Sequence, residues 1–142
     1  DDLALLVLVA DCLPVAMAGE GGIAMLHCGW RGLAGGIVAE AAERIGATAA
    51  AVGPGIGPCC FEVGPEVFDA FSSHGDRVRR GNNLDLWQVA ATELERAGVE
   101  STEVAEVCTY CDEKRFFSHR RDRGVTGRQA GITWPVGGDG GD

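Results

Sequence analysis

Apolar runs alternate with short polar segments near the start of the chain. The runs cover residues 3–9, 13–18 and 23–26, and a glycine-rich segment, residues 19–22, separates the last two. Two apolar runs joined by such a segment are typical of a β-hairpin. A turn at Gly19-Glu20 would set Cys12 opposite His27, whereas a turn at Glu20-Gly21 would set Cys12 opposite Gly29.

Cys12 and His27 share one face of the hairpin in both registers, because strand faces alternate with a period of two. Their Cβ atoms then lie roughly 5 to 8 Å apart. At that distance the two side chains can share a metal ion, or the imidazole can take the proton of the thiol. A lone Cys or His is more often a core residue or a satisfied polar group. Asp11, Trp30 and Arg31 crowd the same end of the hairpin, however, and this favours a functional site.

Periodicity farther along the chain predicts further elements. Four-residue apolar steps predict a helix over residues 32–45 that Gly46 ends, and a short helix covers residues 65–71. Asp85 is the predicted N-cap of a helix that reaches about residue 97. Pro14 predicts an edge or a bulge in the hairpin, and His74 is interpreted as a solvated loop residue. The remaining predicted strands are residues 49–52, 104–107 and 130–134.

Three arginines occupy positions suited to anion binding. Arg31 lies at the start of the first predicted helix, where backbone N–H groups and the helix dipole favour anions. Arg120 and Arg121 are adjacent and follow Ser118, so they could clamp a phosphate or a carboxylate bidentately. A surface arginine and a solvated basic turn are the alternatives.

Six cysteines are present, four of them in two short motifs. Cys59 and Cys60 are adjacent in a Gly- and Pro-rich loop, and we predict that they cannot easily point to one metal and that one of them lies in the core. Cys108 and Cys111 form a CxxC, a zinc or redox spacing. Because this CxxC is the only one in the chain, spacing does not assemble a four-cysteine zinc site, and the residues that follow fit a thioredoxin motif poorly.

Length and composition narrow the class of protein. A chain of 142 residues with 46% hydrophobic residues predicts one domain, residues 1–134, followed by a disordered tail, residues 135–142. The net charge of −9 argues against a nucleic-acid binder. No apolar run reaches the length of a membrane span. Without a secretory signal, the six cysteines indicate a reducing cytoplasm.

These motifs, in their order along the chain, resemble one protein family. The family is known as the polyphenol oxidase or laccase-domain proteins, the multifunctional purine nucleoside phosphorylases and the peptidoglycan editing factors. The resemblance extends to about Trp134 and matches the C-terminal part of a family member, so the N-terminal portion is expected to be missing. The matching segments are residues 10–15, 27–32, 53–64, 108–111, 118–121 and 126–128.

The resemblance implies an α/β (α+β) fold with mixed sheets in four layers, α/β/β/α. It also implies a zinc ion held by two histidines and a cysteine, and Cys12 and His27 match two of these ligands. The third is a histidine upstream of the segment that this sequence covers. Cys28 and His119 stand where the family usually has Ala and Tyr, and either could substitute, although Cys28 alternates to the face opposite His27.

The function predicted from the resemblance is that of a zinc-dependent purine nucleoside enzyme. It would phosphorolyse adenosine, inosine and methylthioadenosine, and would also deaminate adenosine. Phosphate would be held by Arg31, Arg120 and Arg121, and Asp11 would serve as a general acid/base or orient a ligand.

Three alternatives remain open. One is a metal-free hydrolase of cell-wall peptide intermediates, with Cys12 as nucleophile and His27 as base. Another is a copper-dependent phenol oxidase, for which three histidines are few. The last is an inactive truncated homologue. The oligomeric state is left open.

Overall fold

The computed structural model describes residues 3–137, which form eight strands and four α-helices. The strands are β1 (Leu5–Val9), β2 (Leu13–Gly19), β3 (Gly22–Cys28), β4 (Ala47–Val52), β5 (Arg79–Arg80), β6 (Asn83–Leu84), β7 (Ser101–Val104) and β8 (Gln129–Thr133). The helices are α1 (Trp30–Ala34), α2 (Ile37–Ile45), α3 (Pro65–Ala70) and α4 (Leu86–Arg96), with a 3₁₀ helix at Ser72–Val78.

The main sheet has the order β3-β2-β4-β7, with β4 and β7 parallel and the other pairs antiparallel. The predicted hairpin is β2–β3. Gly19 pairs with Gly22 and Pro14 with His27, so the turn is Glu20-Gly21. A side chain at Gly19 would meet the carbonyl oxygen of Gly46 at 2.2 Å, and this close approach explains the glycine.

One face of this sheet forms the core with the helices. Leu13, Val15 and Met17 of β2 alternate onto this face and are at most 2% exposed. They belong to one apolar cluster with Val89 and Leu94 of α4. Each fully buried side chain of this size contributes about 1.5–3 kcal/mol through the hydrophobic effect.

The opposite face of the sheet is covered by a two-stranded antiparallel ribbon, β1–β8. A side chain at Gly131 of β8 would collide with Met25 and Pro14, which alternate onto that face. Helices, main sheet and ribbon are therefore stacked in successive layers. The prediction of an α/β fold with mixed sheets is confirmed.

The predicted helix over residues 32–45 is interrupted. Gly35 and Gly36 separate α1 from α2, and Gly36 has a φ of 87°, a left-handed conformation that cannot continue a right-handed helix. The predicted stop at Gly46 is confirmed, as is the Asp85 cap, whose Oδ1 accepts a hydrogen bond from the Gln88 N–H at 3.0 Å.

Three other local predictions are wrong. Pro14 lies in a central strand, and this is tolerated because Pro14 stands at the end of the pairing with β4, where its carbonyl still accepts a hydrogen bond from the Gly53 N–H at 2.8 Å. β7 ends at Val104, three residues before the predicted end, because Glu106 has a φ of 50°. His74 is buried, because the 3₁₀ helix turns it onto α4, where its Nε2 lies 2.8 Å from Oε1 of Glu93.

The end of the chain follows β8 without regular structure. Residues 134–137 are exposed and lie outside any helix or strand. The rest of the predicted tail, residues 138–142, falls outside the described residues. Within residues 3–137, no helix has both the length and the hydropathy needed to cross a bilayer.

Candidate active site

A cavity of about 480 Å³ opens where β2 begins and β3 ends. Its size lies within the range of small-molecule sites. Five of the six side chains predicted to form the site line this cavity: Asp11, Cys12, His27, Arg31 and Arg120. Residues more than 100 positions apart in the chain therefore meet there.

Cys12 and His27 lie on the ribbon-facing side of the hairpin, as the alternation predicts. Continuing the β2–β3 register beyond Leu13 and Cys28 sets Cys12 opposite Gly29, and His27 lies diagonally from Cys12. Cys28 points to the opposite face and is fully buried in the core. Its location removes Cys28 from the possible third ligands.

The Cys12 thiol is only partly accessible. Burial, and secondarily the charge of Asp11, raise its pKa above the ordinary value of 9.0. Among the contacts of residues 3–137, no hydrogen bond joins this thiol to the His27 imidazole. A thiol that is protonated at neutral pH and lacks a bonded base is a weak nucleophile, so the arrangement does not favour the metal-free hydrolase.

Asp11 connects the hairpin to the C-terminal loops. Its Oδ1 accepts a hydrogen bond from the Thr109 hydroxyl at 2.8 Å, and its Oδ2 accepts one from the Arg120 backbone N–H at 2.7 Å. Asp11 is 8% exposed and has a φ of 100°, which is unusual for a residue with a side chain. With both oxygens occupied in this way, the carboxylate is better placed to orient neighbouring groups than to exchange protons with a substrate.

Two of the predicted arginines present charge to the cavity. The guanidinium of Arg31 stacks on the Trp30 ring at 4.6 Å. The guanidinium of Arg120 lies 5.2 Å from the Phe61 ring and donates one hydrogen bond, to the Glu62 carbonyl at 2.7 Å. Within the described residues, its other side-chain N–H groups have no partner, so they can bind an anion.

Arg121 does not fit the phosphate-binding role predicted for it. It is absent from the cavity lining formed by the described residues, and all five of its side-chain N–H groups are engaged. They donate to Asp122 and to the carbonyl oxygens of Thr109, Tyr110 and Phe116. Adjacent arginines looked equivalent in the sequence, but Arg121 holds the loop that presents Arg120.

Two further cavity residues were not among the six predicted, although His119 was named as a possible third metal ligand. Arg128 lines the cavity from the segment before β8, and His119 lines it beside Arg120. Residues 126–128 formed one of the segments that carried the family resemblance, but they gave no chemical reason to place Arg128 at the site. Its position depends on how β8 pairs with β1, which local periodicity does not reveal.

A second group of reactive side chains lies outside the cavity. The sulfur atoms of Cys59, Cys60, Cys108 and Cys111 all lie within 4.8 Å of one another. The prediction that Cys59 and Cys60 cannot easily point to one metal is therefore wrong, and neither lies in the core, because Cys59 is exposed and Cys60 is half-buried. Sequence spacing alone does not assemble the group, as predicted; tertiary contacts do. The tight turn closed by the Cys60 N–H and the Gly57 carbonyl brings both thiols to one side.

The electrostatics of this group differ from thiol to thiol. Burial, together with hydrogen bonding among the thiols, raises the pKa of Cys59 to about 11 and also raises that of Cys60. Burial would raise the pKa of Cys108 as well, but hydrogen bonds, first that from the Gly57 N–H, outweigh it and lower the pKa. Cys108 thus becomes a thiolate more readily than Cys59 and Cys60.

An α/β domain whose cavity gathers a thiol, an imidazole, a carboxylate and several guanidinium groups has the features of a small-molecule binding site. The chain belongs to the family described as multi-copper polyphenol oxidoreductase laccase, which matches residues 1–135. The resemblance predicted from the motifs is thereby confirmed.

Curated relatives and solved structures support the same assignment. The chain is 39% identical to the purine nucleoside phosphorylase YfiH of Escherichia coli strain K12, over 92% of this chain and 58% of that protein. A Neisseria meningitidis protein of solved structure superposes with a TM-score of 0.84 at 36% identity, covering 94% of this chain and 61% of the other. The YlmD structure from Geobacillus stearothermophilus gives 0.82 at 35% identity, covering 93% and 57%. The chain thus spans less than two thirds of the length of these relatives.

Proposed function

We propose that this chain carries the catalytic cavity of a purine nucleoside phosphorylase. The observation that carries the proposal is the convergence of Arg31, Arg120 and Arg128 on the cavity that also holds Cys12 and His27. The name borne by the Escherichia coli relative supplies the substrate class. Adenosine, inosine and methylthioadenosine are the proposed nucleosides, and inorganic phosphate is the proposed second substrate.

In phosphorolysis, a phosphate oxygen forms a bond to the anomeric carbon while the glycosidic C–N bond breaks. The electron pair of the broken bond leaves with the purine, which takes up a proton that the bound phosphate can provide. Arg31 and Arg120 would hold the phosphate and offset its charge during the attack. Asp11 would keep the Arg120 loop in place through its bond to the Arg120 backbone N–H.

The family resemblance also implies a metal at Cys12 and His27. A thiolate and an imidazole suit zinc, and both side chains line the cavity. Catalytic zinc sites use three protein ligands, but within residues 3–137 no third His, Cys, Asp or Glu ligand atom joins these two within 4.8 Å. His119 lines the cavity without meeting that spacing, so the described residues provide an incomplete set.

Zinc bound there would supply a Lewis acid for hydrolytic deamination of adenosine, the second activity we propose. Copper is the alternative metal, because a cysteine–histidine pair does not distinguish copper from zinc. The proposed phosphorolysis rests on the arginines and does not depend on the metal.

The test is product analysis by chromatography. Inosine incubated with the chain should yield hypoxanthine and ribose 1-phosphate only when phosphate is present, and adenosine without phosphate should yield inosine if deamination occurs. Arg120→Gln should raise the KM for phosphate about tenfold, the equivalent of one charge-assisted hydrogen bond of about 1.4 kcal/mol.

Arg44→Gln is the matched control, because Arg44 is an exposed arginine on α2 that pairs only with Glu40 among the described residues. This variant should keep the wild-type KM for phosphate. An unchanged KM in Arg120→Gln, or hydrolysis to free ribose, would contradict the proposal. Unreacted inosine with phosphate present would identify the chain as the inactive homologue.

A further inference from the structure

We infer that Cys59, Cys60, Cys108 and Cys111 bind one zinc ion in a structural site separate from the active-site cavity. The four residues are called the cysteine cluster below. Unlike the cavity pair, the cluster provides a complete set of four ligands from this chain. It depends neither on the proposed phosphorolysis nor on residues outside the described part.

The sulfur positions already approximate the geometry that zinc requires. A tetrahedral site with Zn–S bonds of 2.3 Å has S···S edges of about 3.8 Å. The Cys111 sulfur lies 3.6 Å from that of Cys59 and 3.4 Å from that of Cys60. All four sulfurs lie within 4.8 Å of one another, so small rotamer adjustments suffice to close a tetrahedron.

Backbone pairing fixes the two loops that carry the cluster. Beyond the parallel β4–β7 pair, Gly55 forms an isolated parallel bridge to Cys108. The Gly55 N–H donates to the Val107 carbonyl at 3.3 Å, and the Thr109 N–H donates to the Gly55 carbonyl at 3.1 Å. The loops are thus held together before any ion binds, which lowers the entropic cost of binding.

One backbone hydrogen bond is already directed at a sulfur atom of the cluster. The Gly57 N–H donates to the Cys108 sulfur at 3.2 Å, the type of backbone bond that supports metal-bound sulfur. Lys114 lines the same shallow recess as Cys108 and Cys111, and Asp112 and Glu113 line it as well, so the recess carries charges of both signs. The recess also gives an ion a route from solvent, and binding releases the thiol protons to water.

Zinc suits this donor set better than the copper named in the family description. Four thiolates in a tetrahedron select zinc or an iron–sulfur centre, whereas Cu(II) prefers planar nitrogen and oxygen ligands. A single ion explains why two exposed thiols, Cys59 and Cys111, are gathered with two others instead of being dispersed. A disulfide would use only two of the four.

The inferred site has a structural consequence for the cavity. The loop that follows β4 supplies Cys59 and Cys60, and the same loop supplies Ile56 and Phe61 to the cavity wall. Zinc would therefore hold this wall against the loop of Cys108, without any of the four ligands facing the cavity.

The experiment measures zinc per chain by plasma mass spectrometry, for protein purified under reducing conditions. A double variant, Cys12→Ala with His27→Ala, removes the cavity pair and should retain about one zinc per chain. Cys111→Ser and Cys59→Ser should each lose that zinc in the same background. Circular dichroism identifies any variant that fails to fold.

A second readout needs no change to the cluster. Cobalt(II) exchanged into the double variant should show the visible absorption of tetrahedral thiolate coordination, together with a sulfur-to-cobalt charge-transfer band. A folded double variant without zinc, a cobalt spectrum without thiolate bands, iron in place of zinc, or a Cys60–Cys111 disulfide in freshly isolated protein would each overturn the inference.

Discussion

The cavity and the cysteine cluster use cysteine in two different ways. In the cavity, one thiol and one imidazole face open space beside arginines, and within the described residues the ligand set stops at two. In the cluster, four thiols face one another, so an ion bound there would need no further ligand from a substrate. The difference indicates that a reactive site leaves positions open for a ligand, whereas a structural site fills every position from its own chain.

Metal removal should affect stability through the cluster far more than through the cavity. Stripping zinc with a chelator should lower the free energy of unfolding by about 4 kcal/mol, the value expected when free zinc stands at 1,000 times its Kd. When its zinc is removed, the Cys12→Ala variant should lose the same amount of unfolding free energy as the wild type. Urea denaturation with and without zinc measures this loss. An equal stability with and without metal would remove the distinction between the two regions.

Asp11 lines the cavity and also bonds Thr109, the residue next to Cys108 of the cysteine cluster. Its removal should therefore affect both regions. Asp11→Ala leaves the Thr109 hydroxyl and the Arg120 N–H without their acceptor, and we expect a loss of about 3 kcal/mol in unfolding free energy. Phosphorolysis should fall at the same time. Thr109→Val removes one of the two bonds and should cost less; an equal or larger loss in that variant would contradict the assignment.

The two adjacent arginines should separate binding from structure. Arg120→Gln raises the KM for phosphate, as described above, with little change in the melting temperature. Arg121→Gln should lower the melting temperature, because its five N–H groups hold three backbone carbonyls and Asp122. At a temperature where Arg121→Gln remains folded, its KM for phosphate should stay within twofold of the wild type. A raised KM for phosphate in Arg121→Gln, with an unchanged melting temperature, would instead indicate that Arg121 binds phosphate.

The pair formed by the buried His74 and the half-buried Glu93 lies outside both regions and provides a control on stability alone. Glu93→Gln replaces the carboxylate that lies 2.8 Å from Nε2 of His74, and we expect a loss of about 1 kcal/mol. Zinc content and the KM for phosphate should not change. A change in either would show that the two regions are coupled through the core.

The smallest effect concerns pH. A hydrogen bond from Arg121 lowers the pKa of Asp122 below its ordinary value of 3.8. Because the folded-state pKa is depressed, this contribution is present above pH 3.8 and is lost as the pH falls through the folded value. The melting-temperature difference between wild type and Asp122→Asn should therefore shrink in acid. A difference that does not shrink as the pH is lowered would contradict this cause.

Local patterns predicted those parts that depend on neighbouring residues. The hairpin, the Asp85 cap and the stop at Gly46 each depend on a few consecutive side chains, and all three were predicted correctly. Five of the six proposed site residues also meet in one cavity, because hairpin alternation and family motifs both constrain them.

Features that depend on distant pairing could not be predicted in this way. The cysteine cluster requires the parallel contact of Gly55 with Cys108, and the contrast between Arg120 and Arg121 requires the carbonyls of other loops. The burial of His74 likewise depends on α4, nineteen residues farther along at Glu93. Spacing alone gives no information about such contacts.

The bonds of Asp11 have a consequence for how the chain folds. They span 98 and 109 residues, and β1 pairs with β8 from the other end of the domain. Contacts of such high sequence separation form slowly, because loop-closure entropy must be overcome first. During synthesis, β2, β3 and α2 can associate early, whereas the cavity cannot be completed until β8 has left the ribosome. The apolar cluster, which includes Val89 and Leu94 of α4, therefore leaves the ribosome before the cavity can be completed.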